Sequence, residues 1–155
     1  MELIQLIING TTKFSSMIAE LVEMEGLAKV VAYTTKKSLI DKPTLGGKEV
    51  VPFEELNDRF DKKTVRILNT IGYSKMNTIR ERVNDEIASV EIQPFSYIST
   101  RAFIAKSTGD LLTSGCIIMP NVFIGSNVQI GESTVIYSNC SLTHDIVIGN
   151  NSFLG

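Results

Sequence analysis

From Leu112 to Leu154 a large aliphatic residue returns at every sixth position without a miss: Leu112, Ile118, Ile124, Ile130, Ile136, Leu142, Ile148 and Leu154. No amphipathic helix has that period, and no simple hairpin ladder holds it so long. Two positions before each aliphatic stands Cys116, Val122, Val128, Thr134, Cys140, Ile146 or Ser152, mostly small or β-branched; only Asp110, ahead of Leu112, departs. Ile98 and Ile104 keep the same spacing upstream, offset by a two-residue slip. One large inward residue, one small inward residue and a turn make a hexapeptide repeat, and three such units close a triangular coil of about 18 residues. Stacked coils rise by about 4.8 Å each, which places Ile118, Ile136 and Leu154 in one stack. Leu112, Ile130 and Ile148 form another, and Ile124 and Leu142 the third. Residues 91–155 are therefore expected to be an all-β parallel β-helix of about three coils. Gly125, Gly131, Gly149 and Gly155 each follow an aliphatic and are expected at corners, in positive φ. Cys116 and Cys140 fill small inward slots on different faces, so they read as packed thiols and not as a disulfide.

Residues 1–90 follow another grammar, that of a small α/β domain. Leu3–Asn9, Ala28–Tyr33 and Thr64–Ile71 read as buried strands. Thr11–Gly26 carries Phe14, Met17, Ile18, Leu21 and Met24 at helical spacing, with Gly26 at its C-terminal end. Val51–Phe60 and Lys75–Ala88 read as charged amphipathic helices. Alternating strands and helices predict a parallel sheet with helical crossovers. A net charge of −2 without a basic block argues against nucleic acid or an anionic membrane as partner. No apolar run is long enough to span a bilayer and no signal peptide opens the chain, so a cytoplasmic location is expected.

His144 is the single histidine, in the run Leu142-Thr143-His144-Asp145. The repeat puts it just past inward Leu142, at a corner with its ring outside. Thr143 stands where a glycine would, as Tyr137 does one repeat earlier, and Asp145 is placed to orient an imidazole. An imidazole at such a corner suits general-base work. A polar turn residue is the bland alternative.

Taken with three further segments, these features resemble a known family. The segments are the first strand with Gly10, Leu45-Gly46-Gly47-Lys48-Glu49-Val50-Val51-Pro52-Phe53-Glu54-Glu55-Leu56, and Ile71-Gly72-Tyr73-Ser74-Lys75-Met76-Asn77-Thr78-Ile79-Arg80. The chain resembles the bacterial sialic acid O-acetyltransferase and nucleotide-aminosugar N-acetyltransferase family of surface-glycan and polysaccharide biosynthesis. The resemblance implies a Rossmann-like nucleotide-sugar-binding domain over 1–90, followed by a left-handed β-helix acyltransferase domain over 91–155. It implies transfer of acetyl from acetyl-CoA to the amine, or hydroxyl, of a nucleotide-linked amino-deoxy sugar, with His144 as base supported by Asp145, no metal, and a homotrimer. The substrate would meet Gly10, Thr11, Thr12, Lys13, Thr35, Gly72, Tyr73, Asn77 and Arg80. Only Gly10 remains of the family's glycine-rich opening, and Thr34-Thr35 replaces its acidic pair. The family continues for several coils beyond the position of Gly155, so a C-terminally truncated chain is expected. A non-catalytic nucleotide-sugar-binding or scaffolding fragment of such an enzyme is the alternative.

Overall fold

The computed structural model describes residues 3–108 and 114–155; Asp110 and Leu112 of the repeat lie outside the described residues. The chain divides into two units, the first ending at Ser74 and taking in Thr78–Phe95, the second made of Lys75–Asn77 and Ser96–Gly155. The change of unit falls after residue 95 and not 90, because the chain beyond the last helix returns to the first unit's sheet: Ile67 N–H donates to Gln93 O and Phe95 N–H to Ile67 O.

The first unit is built on β1 (Gln5–Asn9), α1 (Lys13–Met24), β2 (Lys29–Thr35), β3 (Thr44–Leu45), β4 (Lys48–Pro52), α2 (Leu56–Arg59), β5 (Val65–Asn69) and α3 (Thr78–Ser89). The sheet order is β3-β4-β2-β1-β5, parallel except for the β3–β4 hairpin. Ile7, Ala32, Val51, Leu56, Val65, Ile67, Ile87 and Ile92 form one core cluster. Two sequence expectations change here. Val51–Phe60 is not a helix: Val50 and Val51 are buried in β4, and helical turns begin only at Phe53. The cause is Gly46-Gly47, at φ 56° and 77°, a two-residue turn that folds Lys48 and Glu49 back on Leu45 and Thr44. On α1 the buried stripe is Ser15, Ile18, Ala19 and Val22, while Met17 and Met24 face solvent. The helix closes with Gly26 just beyond its cap, Leu27 N–H reaching Val22 O at 3.1 Å.

The second unit is a coil of short parallel strands: β6 (Tyr97–Ile98), β7 (Phe103–Ile104), β8 (Ile117–Ile118), β9 (Phe123–Ser126), β10 (Gln129–Ile130), β11 (Val135–Ile136), β12 (Ser141–His144), β13 (Val147–Ile148) and β14 (Phe153–Leu154). They stack as β14-β11-β8-β6, β12-β9-β7 and β10-β13. The register pairs Ile118 with Ile136 and Ile136 with Leu154, Ile124 with Leu142, and Ile130 with Ile148. Ile98 and Ile104 join the same stacks beneath Ile118 and Ile124, which absorbs the two-residue slip. The small inward slots satisfy themselves upward: Thr134 Oγ1 donates to Gly149 O at 3.0 Å and Cys116 Sγ to Gly131 O at 3.3 Å. Both cysteines are free thiols.

The glycines serve a different purpose from the one expected. Positive φ falls instead on Asn121, Asn127, Ser133, Asn139, Asp145 and Asn151, again six apart, types that tolerate the left-handed region. Gly125 and Gly131 are glycines because the next coil leaves no room. A Cβ on Gly125 would stand 1.5 Å from Thr143 O, and one on Gly131 2.4 Å from Asn150 N. On Gly149 the nearest atom would be Ser152 Oγ at 4.0 Å. Gly125→Ala is therefore expected to destabilise the prism by about 1–3 kcal/mol in urea unfolding, and Gly149→Ala to stay within about 0.5 kcal/mol. Equal midpoints for the two variants would contradict this reading of the close approach.

Candidate active site

His144 closes β12, in register with Ser126 of β9. Its Nδ1 lies 2.9 Å from Asp145 Oδ2, and the two side chains are 71% and 67% exposed. Asp145 is one of the left-handed corners, with φ 54°, and its N–H donates to Ser126 O at 3.0 Å. Asn127, one coil below, donates from Nδ2 to Asp145 Oδ1 at 2.6 Å. That bond, then the one to His144, holds the Asp145 carboxyl below its ordinary range. A lowered folded value means that whatever these bonds add to stability is present above the unfolded pKa and lost as pH falls through the folded one. An ionised carboxylate accepts only, so a hydrogen bond at this contact needs the proton on Nδ1, and a neutral imidazole bonded that way carries its lone pair on Nε2. Asn127 was not singled out from the sequence. Its signal was the coil offset of 18 residues that places it beneath Asp145.

The expected substrate-binding residues divide into three groups. Gly10, Thr11, Thr12 and Thr35 gather along the carboxyl edge of the sheet, where β1 and β2 end. Gly10 sits at φ 124°, its N–H on Thr34 O, and a Cβ there would strike Ser15 Oγ and Thr70 Oγ1, both at 2.7 Å. Thr12 caps α1 through a capping box with Ser15. Ser15 N–H goes to Thr12 Oγ1 and Thr12 N–H to Ser15 Oγ, so two donors that a phosphate would meet are already engaged. The first turn of α1 carries no acid, and Lys13 is exposed there. Thr11 lines a cleft of about 170 Å³ with Ile40, Asp41, Lys42, Thr44 and Leu45. Asp41 is an acid that follows β2, six residues beyond Thr35.

Gly72 and Tyr73 follow β5, Gly72 with open space where a Cβ would stand and Tyr73 68% exposed. With β1 central, flanked by β2 on one side and β5 on the other, chain order reverses between β1 and β5. Ligands in open parallel sheets settle at such a reversal, beyond the carboxyl ends of the strands.

Asn77 and Arg80 change role. Arg80 is fully buried, and Nη1 donates to Asn69 O at 2.8 Å and Ile71 O at 2.9 Å. It ties down the end of β5 and offers no surface to a phosphate. Asn69 extends the same network, donating from Nδ2 to Asn84 Oδ1 at 2.7 Å. Asn77 precedes α3 in a left-handed run, Lys75, Met76 and Asn77 at φ 46°, 52° and 64°, and its Nδ2 donates to Asn151 O at 2.8 Å. Among the described residues no group of three His, Cys, Asp or Glu is placed to hold a metal, and no helix is long and apolar enough to cross a membrane.

No family model matches the chain, and no curated protein matches it by sequence. Its fold is nonetheless shared with solved acetyltransferases. The acetyltransferase domain of PglB from Neisseria gonorrhoeae FA1090, in complex with acetyl coenzyme A, matches with TM-score 0.81 and 15% identity, over 97% of this chain and 69% of that one. A His-to-Ala mutant of GDP-perosamine N-acetyl transferase from Caulobacter crescentus, in complex with CoA and GDP-perosamine, matches with TM-score 0.81 and 19% identity, over 96% and 67%. WeeI from Acinetobacter baumannii AYE matches with TM-score 0.76 and 18% identity, over 96% and 68%.

Because Arg80 is an anchor and not a surface contact, Arg80→Ala is expected to destabilise the first unit by about 3 kcal/mol or more, stranding two carbonyls. Denaturant unfolding without ligand reads this out; wild-type stability with weakened ligand binding would restore the surface role.

Proposed function

We propose that this chain is an acetyl-CoA-dependent acetyltransferase acting on the amine, or hydroxyl, of a nucleotide-linked amino-deoxy sugar. The observation that carries the reading is the His144–Asp145 pair on an exposed corner of the coil, Nδ1 lying 2.9 Å from the carboxylate and Nε2 on the far side of the ring from it. The shared fold supports it, as do the ligands named for the similar structures: acetyl coenzyme A for PglB, CoA and GDP-perosamine for the Caulobacter crescentus enzyme. We read the coil as left-handed and the first unit as a Rossmann-like nucleotide-sugar domain, with Gly10–Lys13, Thr35, Gly72 and Tyr73 along the carboxyl edge facing the nucleotide. A homotrimer and a cytoplasmic location belong to the same reading.

His144 Nε2 takes the proton from the attacking nitrogen as the N–C bond forms at the thioester carbon. The tetrahedral adduct collapses, the C–S bond breaks, and the imidazolium returns its proton to the leaving thiolate, giving an amide and a free thiol. Asp145 stabilises the imidazolium between the two steps. A thioester is already activated, so positioning and base catalysis suffice.

His144→Ala is expected to lower turnover by about 10²–10⁴-fold, followed by thiol release from acetyl-CoA, while leaving nucleotide binding intact. A variant of wild-type activity would remove the base assignment. Thermal shifts with uridine, thymidine, guanosine and cytidine diphosphate sugars should single out one nucleotide. Binding without thiol release would favour the non-catalytic reading.

A further inference from the structure

The carboxylate of Asp145 is shared between two donors on different coils. Its Oδ1 accepts from Asn127 Nδ2 at 2.6 Å and its Oδ2 faces His144 Nδ1 at 2.9 Å. Both members of the His–Asp pair are mostly exposed, and an exposed pair of adjacent residues is a weak constraint by itself. A terminal carboxylate also rotates in a broad, shallow well, so one bond does not fix which oxygen meets the imidazole. Asn127 supplies the missing constraint. Its place is set by the ladder between β9 and β12, Phe123 with Ser141, Ile124 with Leu142 and Ser126 with His144. Asn127 and Asp145 therefore occupy equivalent left-handed corners one coil apart, at φ 56° and 54°. Two side chains leaving equivalent backbone positions on successive coils are brought face to face by the strand spacing itself.

We propose that Asn127 is a positioning residue that acts through Asp145: its amide pins the carboxylate so that His144 is held as the Nδ1–H tautomer, with Nε2 unprotonated and free. The catalytic meaning of this arrangement rests on the acetyltransferase reading, but the arrangement itself does not. A left-handed corner alone asks only for a residue that tolerates positive φ, which Ser133 also supplies one repeat later. A hydrogen-bond donor aimed at the carboxylate is a further requirement, and Asn meets both.

Because His144 is the only histidine in the chain, its ring nitrogens are read without ambiguity by ¹⁵N NMR of the full chain. At about pH 9, where an ordinary imidazole is neutral, the wild-type spectrum should show Nδ1 protonated and Nε2 bare. Asn127→Gly keeps the backbone preference and deletes the amide; Asn127→Asp keeps shape and φ tolerance but replaces the donor with a second carboxylate. Both should lose the fixed tautomer, their ring signals moving to an average of the two forms. Asp145→Asn should do the same, and Asn127→Gly added to it should change the ring no further, since the influence of Asn127 travels through Asp145. The amide fingerprint of each variant reports whether the coil remains folded. A wild-type ring protonated at Nε2 would overturn the proposal with no variant needed, as would an unchanged tautomer in folded Asn127→Gly and Asn127→Asp. The spectrum needs no substrate. If thiol release is absent but the tautomer behaves as described, the acetyltransferase reading falls and the positioning role stands. If the tautomer is unmoved while acetyl transfer proceeds, only the positioning role falls.

Discussion

Backbone hydrogen bonding between successive coils is the constraint on which the second unit depends. Ile117 N–H reaches Thr134 O, Val135 N–H reaches Ser152 O, and Phe123 N–H reaches Cys140 O, so each strand's donors meet the strand one coil above. The ladder fixes which residues overlie one another, and burial of Ile118, Ile124, Ile130 and Ile136 makes a slip of even one residue prohibitive, since it would turn the aliphatics outward. Everything else in the prism follows from that registry. Gly125 and Gly131 stand where the coil above approaches closely, Thr134 and Cys116 occupy slots beneath a carbonyl, and Asx side chains line up at every named corner but Ser133.

The candidate site is a consequence of the same stacking. His144 ends a strand that the ladder holds in place, Asp145 turns the corner in the left-handed conformation, and Asn127 reaches it from the coil beneath. A loop presenting the same residues would have to order them against chain entropy; here the order is already set by a hydrogen-bonded scaffold. In the first unit the corresponding constraint is polar. Arg80, Asn69 and Thr70 secure the end of β5, and Thr70 Oγ1 reaches Asn9 O at the end of β1, so both sides of the chain reversal are fixed by buried hydrogen bonds.

The aliphatic stacks were legible in the sequence because one side chain per six residues points inward and only apolar types are tolerated there. The corners carried a period of six just as strict, but glycine drew attention away from Asn121, Asn127, Ser133, Asn139, Asp145 and Asn151. Glycine marks two physical needs, positive φ and close approach, and its position in a repeat does not tell them apart. The strand β4 was hidden for another reason. Phe53, Leu56 and Phe60 have helical spacing, and only the turn at Gly46-Gly47 shows that the chain reaches this point as half of a hairpin. Arg80 sits in a charged stretch that reads as a solvated helix face. Its burial answers carbonyls left at the end of a strand many residues earlier, which no local pattern displays.

Mass spectrometry of the acceptor tests the acetyl-transfer reading most directly. The chain would be incubated with acetyl-CoA and nucleoside diphosphate sugars bearing a free amine. The expected result is a sugar nucleotide carrying one added acetyl group, formed by the wild-type chain and absent with His144→Ala. An acceptor left unmodified while the same chain binds both acetyl-CoA and the sugar nucleotide would contradict the reading.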